Sequence, residues 1–295
     1  MSAFMRHTRL AAAASFIGLV GLVGCGSTSA SSPGTAQSPA PATTAPSATS
    51  PAPSAVTPKP TVAPTGQPGG PAQVCSQAGT YLTAVRTGEH SGYDRGVFQF
   101  SAKLPSYTVE RVQAVYSDPK GTPVPLAGQS YLRVVFHGTS AVCPQPPHRT
   151  YTGPRVLTPY YPELLTVSTA GDFEGVLSFG IGLAAPGSYH VFTLTSPDRL
   201  VIDVSHVALG KFPGIWDITS WPQYWATQYS WLNGHQPWLS SPSLVVQVWA
   251  GGSASVVRQV SANTFKVTKP DGKTFTVTGV HPVIVPGPWV ITTIT

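Results

Sequence analysis

From Gly26 to Gln73 the chain runs through Ser, Pro, Ala, Thr and Gly with one charged residue, Lys59, and almost no large apolar side chain. Such a stretch cannot offset its own ordering entropy by burial, so it predicts a disordered linker. Of the 7 Trp, 11 Tyr and 11 Phe, very few precede residue 80. Folding is thereby confined to residues 74–295, enough chain for a large sandwich or two small domains.

Ahead of the linker, Arg6 and Arg9 precede an apolar run from Leu10 to Val23. About 14 residues make roughly 21 Å of helix, short of a hydrocarbon core of about 30 Å, so the run predicts an export signal and not a membrane span. Leu22-Val23-Gly24-Cys25 resembles the bacterial lipobox. That resemblance implies cleavage before Cys25, diacylglycerol on its thiol and retention at the outer face of the cell membrane, with the linker carrying the folded part into the wall.

The remaining thiols are Cys75 and Cys143. Export makes a disulfide between them the default expectation. The competing reading, Cys143 as a nucleophile or zinc ligand beside His137 or His148, lacks a second paired motif. The formal charge of +6 includes the two leader arginines, and no run of five Lys or Arg exists to track phosphates. Nucleic acid is therefore not an expected partner.

Between Tyr81 and Val204, short alternating runs are bounded by Gly, Pro, Asp and Ser. Val97–Ser101, Tyr107–Tyr116, Tyr131–His137, Val176–Leu183, Tyr189–Thr195 and Leu200–Val204 predict strands, the last two a hairpin about Ser196-Pro197-Asp198-Arg199 with Phe192 and Leu194 on one face, met there by Leu200, Ile202 and Val204. Six or more strands without an intervening helix predict a β-sandwich. The blocks Val85-Arg86, His90 to Arg95, Val97 to Phe100, Asp172 to Leu177, Gly180 to Leu183 and the final hairpin resemble the AMIN-like domain of actinobacterial lipoproteins. The resemblance implies a sandwich that localises envelope proteins through peptidoglycan or a related polymer.

Within those blocks, Tyr93, Asp94 and Arg95 form one candidate binding group and Asp172, Phe173 and Glu174 another. Gly92 to Arg95 reads as a turn before a strand, with Asp94 paired to Arg95 or Arg86 or else touching sugar. Asp172 and Glu174 also raise a glycosidase-like pair, but opposed acids normally reach a cleft from different elements. Ser117-Asp118-Pro119-Lys120 spells S-x-x-K without the accompanying Lys-Thr-Gly. No paired catalytic motif is present, so the expectation is a non-enzyme that needs no cofactor and no metal.

After Ala208 six tryptophans crowd into Trp216–Trp249. Ser220 and Pro222 open a helix that Asn233-Gly234 closes, with Trp221, Trp225, Gln228 and Leu232 on one stripe. Ser241-Pro242 opens a second short helix through Val248, for which a strand is the alternative because of its β-branched residues. Thr264–Thr268 and Thr274–Thr278 form a hairpin about Lys269-Pro270-Asp271-Gly272, and Trp289–Ile294 a last strand. This part resembles a module appended to many actinobacterial secreted proteins, and its tryptophans serve either a core or a sugar platform.

The sequence thus predicts a mainly β protein: signal peptide 1–24, lipidated Cys25 and linker 25–73, AMIN-like sandwich 74–207, and a small α+β module 208–295. Its leading reading is a lipid-anchored binding or accessory protein that engages cell-wall polymer. The alternative is a scaffold docking an envelope protein, and a glycan hydrolase is the least supported.

Overall fold

The computed structural model describes residues 75–295. The leader, Cys25 and the whole linker lie outside the described residues. From Cys75 onward the chain forms β1 (Thr80–His90), β2 (Tyr93–Phe100), β3 (Ser106–Val112), β4 (Ser130–His137), β5 (Thr139–Ser140), β6 (Val142–Pro144), β7 (Pro147–Arg149) and β8 (Val156–Leu157). Then come β9 (Leu164–Phe173), β10 (Val176–Leu183), β11 (Tyr189–Leu194) and β12 (Arg199–Ser205). Two five-stranded sheets, β11-β12-β2-β1-β5 and β3-β4-β10-β9-β8, enclose one core.

That core exists because alternate residues of each strand face inward. In β2 the alternation is complete, with Asp94, Gly96, Phe98 and Phe100 buried and Tyr93, Arg95, Val97 and Gln99 facing out. Phe98 meets Phe179 at 4.9 Å and Phe100 meets Phe136 at 4.9 Å between ring centres, locking the sheets together by tilted and edge-on contacts. The hairpin faces differ from expectation. Leu200, Ile202 and Val204 pair with Thr193, Val191 and Tyr189, so Val191 and Tyr189 pack on the core while Phe192 and Leu194 lie on the other side.

On the outside of the second sheet, Gly180 and Gly182 leave room for the segment 113–128. A Cβ on Gly180 would press on Leu126 and Val115, and one on Gly182 would strike the Ala127 carbonyl. Val115, Leu126 and Ala170 close a small cluster beneath that segment.

The C-terminal region consists of α1 (Trp221–Leu232), α2 (Pro242–Trp249), β13 (Val256–Ser261), β14 (Thr264–Thr268), β15 (Thr274–Val280) and β16 (Val290–Ile294), the four strands forming one sheet in sequence order. Ser220 caps α1 by accepting from the Gln223 amide. Pro at the start of α2 and burial of Val245 and Val246 favour helix over the strand alternative. Tyr224, Trp225 and Gln228 form the buried face of α1. Tyr224 and Trp225 meet Ala127, Leu165 and Ala184 of the sandwich in a shared apolar cluster. Gln228, fully buried, accepts from the Gly128 amide at 2.8 Å and donates to the Pro286 carbonyl at 3.2 Å.

Trp225 and Trp289 are buried, Trp216, Trp231, Trp238 and Trp249 are half-buried against the core of the C-terminal region, and Trp221 is half-buried against the cluster around Tyr224 and Trp225. The seven tryptophans therefore serve packing, and none is among the exposed large apolar residues.

Candidate functional site

Tyr93, Asp94 and Arg95 lie within β2, not in the turn before it; Ser91 and Gly92 make that turn. The two-residue period sends Asp94 to one face and its neighbours to the other, so no pair between Asp94 and Arg95 forms. Asp94 is fully buried. Its Oδ2 accepts from the Glu163 and Leu164 amides at 2.7 and 2.8 Å, and its Oδ1 lies 2.8 Å from Nε2 of His206. With every oxygen engaged, Asp94 is a strut joining β2, the start of β9 and the segment after β12, and it leaves the candidate contact surface.

Glu163 sits beside this strut, itself fully buried, accepting from the amides of Ala185 at 3.0 Å and Val207 at 3.3 Å. Burial, helped by the charge of Asp94 and opposed by the two amides and His206, pushes its carboxyl up to about 6 from 4.5. The folded state thus binds this proton more tightly than the unfolded chain. The resulting stabilisation is complete below about pH 4.5 and is lost as pH rises through about 6. The loss is about 1–2 kcal/mol. Urea denaturation of wild type and Glu163→Gln across that window is expected to show the difference in stability between them shifting by this amount; a constant difference would contradict it.

Arg95 and Tyr93 occupy the outer face of the first sheet. The Arg95 guanidinium donates to both oxygens of Asp203 at 2.7 and 2.8 Å, which raises its pKa further. It lies 5.3 Å from the Tyr93 ring centre and 5.4 Å from that of Phe192. His90 stacks on Tyr93 at 4.7 Å and His190 on Phe192 at 5.3 Å. The rings and charges of this face satisfy one another. Its chief cation is neutralised by a bidentate carboxylate, so the face offers no unpaired charge at its centre.

The second candidate group lies where β9 turns into β10. Asp172 and Phe173 end β9, and Glu174 takes a positive φ of 49° in the turn with Gly175. Asp172 borders a cleft of about 620 Å³, whereas Phe173 and Glu174 do not line it. The cleft is walled by the turn 117–122, the β6–β7 hairpin, the loop 150–155 and the outer end of β9. The turn docks on β9 through the Asp118 amide, which donates to the Ala170 carbonyl at 3.0 Å, and Gly171 provides the space for it. Arg155 is held beside β9 by the Thr169 amide, which donates to its carbonyl at 2.9 Å. Tyr151 closes its loop by donating to the Pro154 carbonyl at 2.8 Å.

The two cleft carboxylates are both tied back. Asp172 Oδ2 accepts from the Ala141 amide at 2.9 Å and from Ser140 at 3.0 Å, and Asp118 Oδ2 accepts from Ser178 at 3.0 Å. Lys120, Arg149 and Arg155 also line the cleft, and among the described residues none of them is in an ion pair. The sequence marks only Lys120 of the three, within its S-x-x-K spacing, and none of them as a ligand contact. Each is isolated in the chain. Next to the hairpin wall, Cys143 is fully buried and bonded to Cys75, with Cα atoms 5.5 Å apart. The sulfur is thereby committed, and the nucleophile and zinc readings of Cys143 fall.

Residues 80–206, from β1 to the end of the strut at His206, match the AMIN-like domain family. No match was found among curated proteins or among solved structures. The chain thus contains an AMIN-like domain, and the cleft, the outer sheet face and the buried strut all belong to it.

Proposed function

We propose that the protein is a non-catalytic binding module of the cell envelope, tethered through lipid on Cys25 and the linker 25–73, that engages cell-wall polymer through its AMIN-like domain. The AMIN-like match over residues 80–206 carries this reading, since such a domain suggests envelope binding. The Cys75–Cys143 disulfide agrees with an extracytoplasmic setting. Absence of a paired catalytic motif in the sequence supports binding over hydrolysis. The test is retention of the full chain by purified wall sacculi. Retention well above that of a control protein of similar charge supports the reading, and none above control removes it.

A second reading, a scaffold that docks an envelope protein, draws on the C-terminal region. Leu244 and Val248 lie one turn apart on α2 and are about half exposed, and Val256 and Val260 of β13 are 69% and 65% exposed. Cross-linking in intact cells distinguishes the two: one dominant protein adduct favours the scaffold, and adduct formation with wall material alone opposes it.

A further inference from the structure

The cleft combines three observations that bear on what it holds. Lys120, Arg149 and Arg155 bring three cations to a concavity whose only carboxylates, Asp118 and Asp172, are occupied by protein donors. The lining thus carries one net positive charge, and its positive groups are the ones left without partners. An apolar side chain is also exposed at the same place. Val142 lines the cleft and is 40% exposed. Unpaired cations beside an exposed apolar side chain suit a ligand that carries both the C–H faces of sugars and negative charge.

The cleft walls are also fastened from several directions. The turn 117–122 is closed by Ser117 and Thr122 through backbone and side chain, then bonded to β9. Arg149 sits in β7, paired with Val142 of β6, the strand that the disulfide ties to the start of the domain. Such anchoring lowers the ordering cost of binding at the cleft.

We infer that this cleft is the subsite at which the AMIN-like domain takes an anionic segment of a sugar polymer, with Lys120, Arg149 and Arg155 contacting its acidic groups. The inference rests on the wall-polymer reading above and specifies its chemistry. Two sources carry such groups: carboxylates of the peptidoglycan itself, and phosphodiesters of polymers attached to it.

The test measures binding of the full chain, kept in detergent, to purified walls before and after hydrofluoric acid removes phosphodiester-linked polymers. The triple variant Lys120→Ala, Arg149→Ala, Arg155→Ala is compared with Arg258→Ala, Lys266→Ala, Lys273→Ala, which removes the same charge from the C-terminal sheet. The cleft variant is expected to lose affinity by about tenfold or more at low salt and the control by less than about twofold. All six side chains are exposed, so thermal unfolding near wild type is expected for both variants. Arg149→Glu alone serves as a second probe and is expected to weaken binding without altering unfolding. Binding that survives acid treatment assigns the carboxylates, and binding lost with it assigns the phosphodiesters. Equal retention of wild type and cleft variant overturns the subsite while leaving the polymer reading standing. No retention of wild type on either wall overturns both.

Discussion

Asp94→Ala is expected to destabilise the protein by about 3–5 kcal/mol, the cost of breaking a fully buried charged network by removing one partner. The substitution strips acceptors from the fully buried Glu163 and Leu164 amides and from the partly buried His206 at once. For a folded body of this size the loss corresponds to a fall of about 10 °C in the thermal midpoint. Asp94→Asn is expected to cost far less, about 1 kcal/mol, because one side-chain oxygen can still accept from both amides. Thermal and urea denaturation of the two variants check this contrast. An alanine variant within about 1 kcal/mol of wild type would show that Asp94 does not hold the sheets together.

A loss of similar size is expected from Cys75→Ser combined with Cys143→Ser. The bond spans a sequence separation of 68 residues, for which the chain-entropy model gives about 4 kcal/mol. It ties the segment before β1 to β6, whose residue Val142 lines the cleft. The double variant is therefore expected both to unfold at a lower denaturant concentration and to bind wall more weakly at temperatures where it stays folded. Wild-type unfolding curves taken with and without reductant check the stability part independently, and coincident curves would contradict it.

How far these features were visible in the amino-acid order depended on which faces a strand buries. β10 was legible from Val176 to Leu183 at both ends, as were the β14–β15 hairpin and the Ser220 cap, because turn and capping residues bracket them. β9 was missed although it is an interior strand of its sheet. Leu164, Leu165 and Thr166 are all fully buried, the first in the sandwich core and the second in the cluster shared with α1. A strand covered on both sides has no alternation to detect. β1 was obscured by the irregularity in its pairing between Leu82 and Ala84. In the β11–β12 hairpin a one-residue difference in register exchanged the faces, which moved Phe192 and Leu194 away from the core.

The candidate site was legible only in part for a related reason. Family blocks pointed to Tyr93, Asp94 and Arg95 as a group, but strand geometry divides them between two faces, and the partner of Asp94, His206, lies 112 residues away. Asp172 does border the cleft, while the cations opposite it come from three separate segments whose meeting depends on tertiary pairing. No local spacing encodes that convergence. The fate of the tryptophans was likewise undecided by their density, since core and platform need the same residue type; the packing on α1, α2 and β14–β16 resolves it toward core.

The most direct test is chemical-shift mapping of the isotopically labelled full chain titrated with soluble wall fragments. The predicted result is saturable shifts centred on residues 117–122, 149–155 and 171–172, with the outer sheet face about Arg95 and Phe192 and the C-terminal sheet little changed. Shifts confined to those other surfaces, or no shifts at fragment concentrations where walls retain the protein, would contradict the assignment of polymer binding to this cleft.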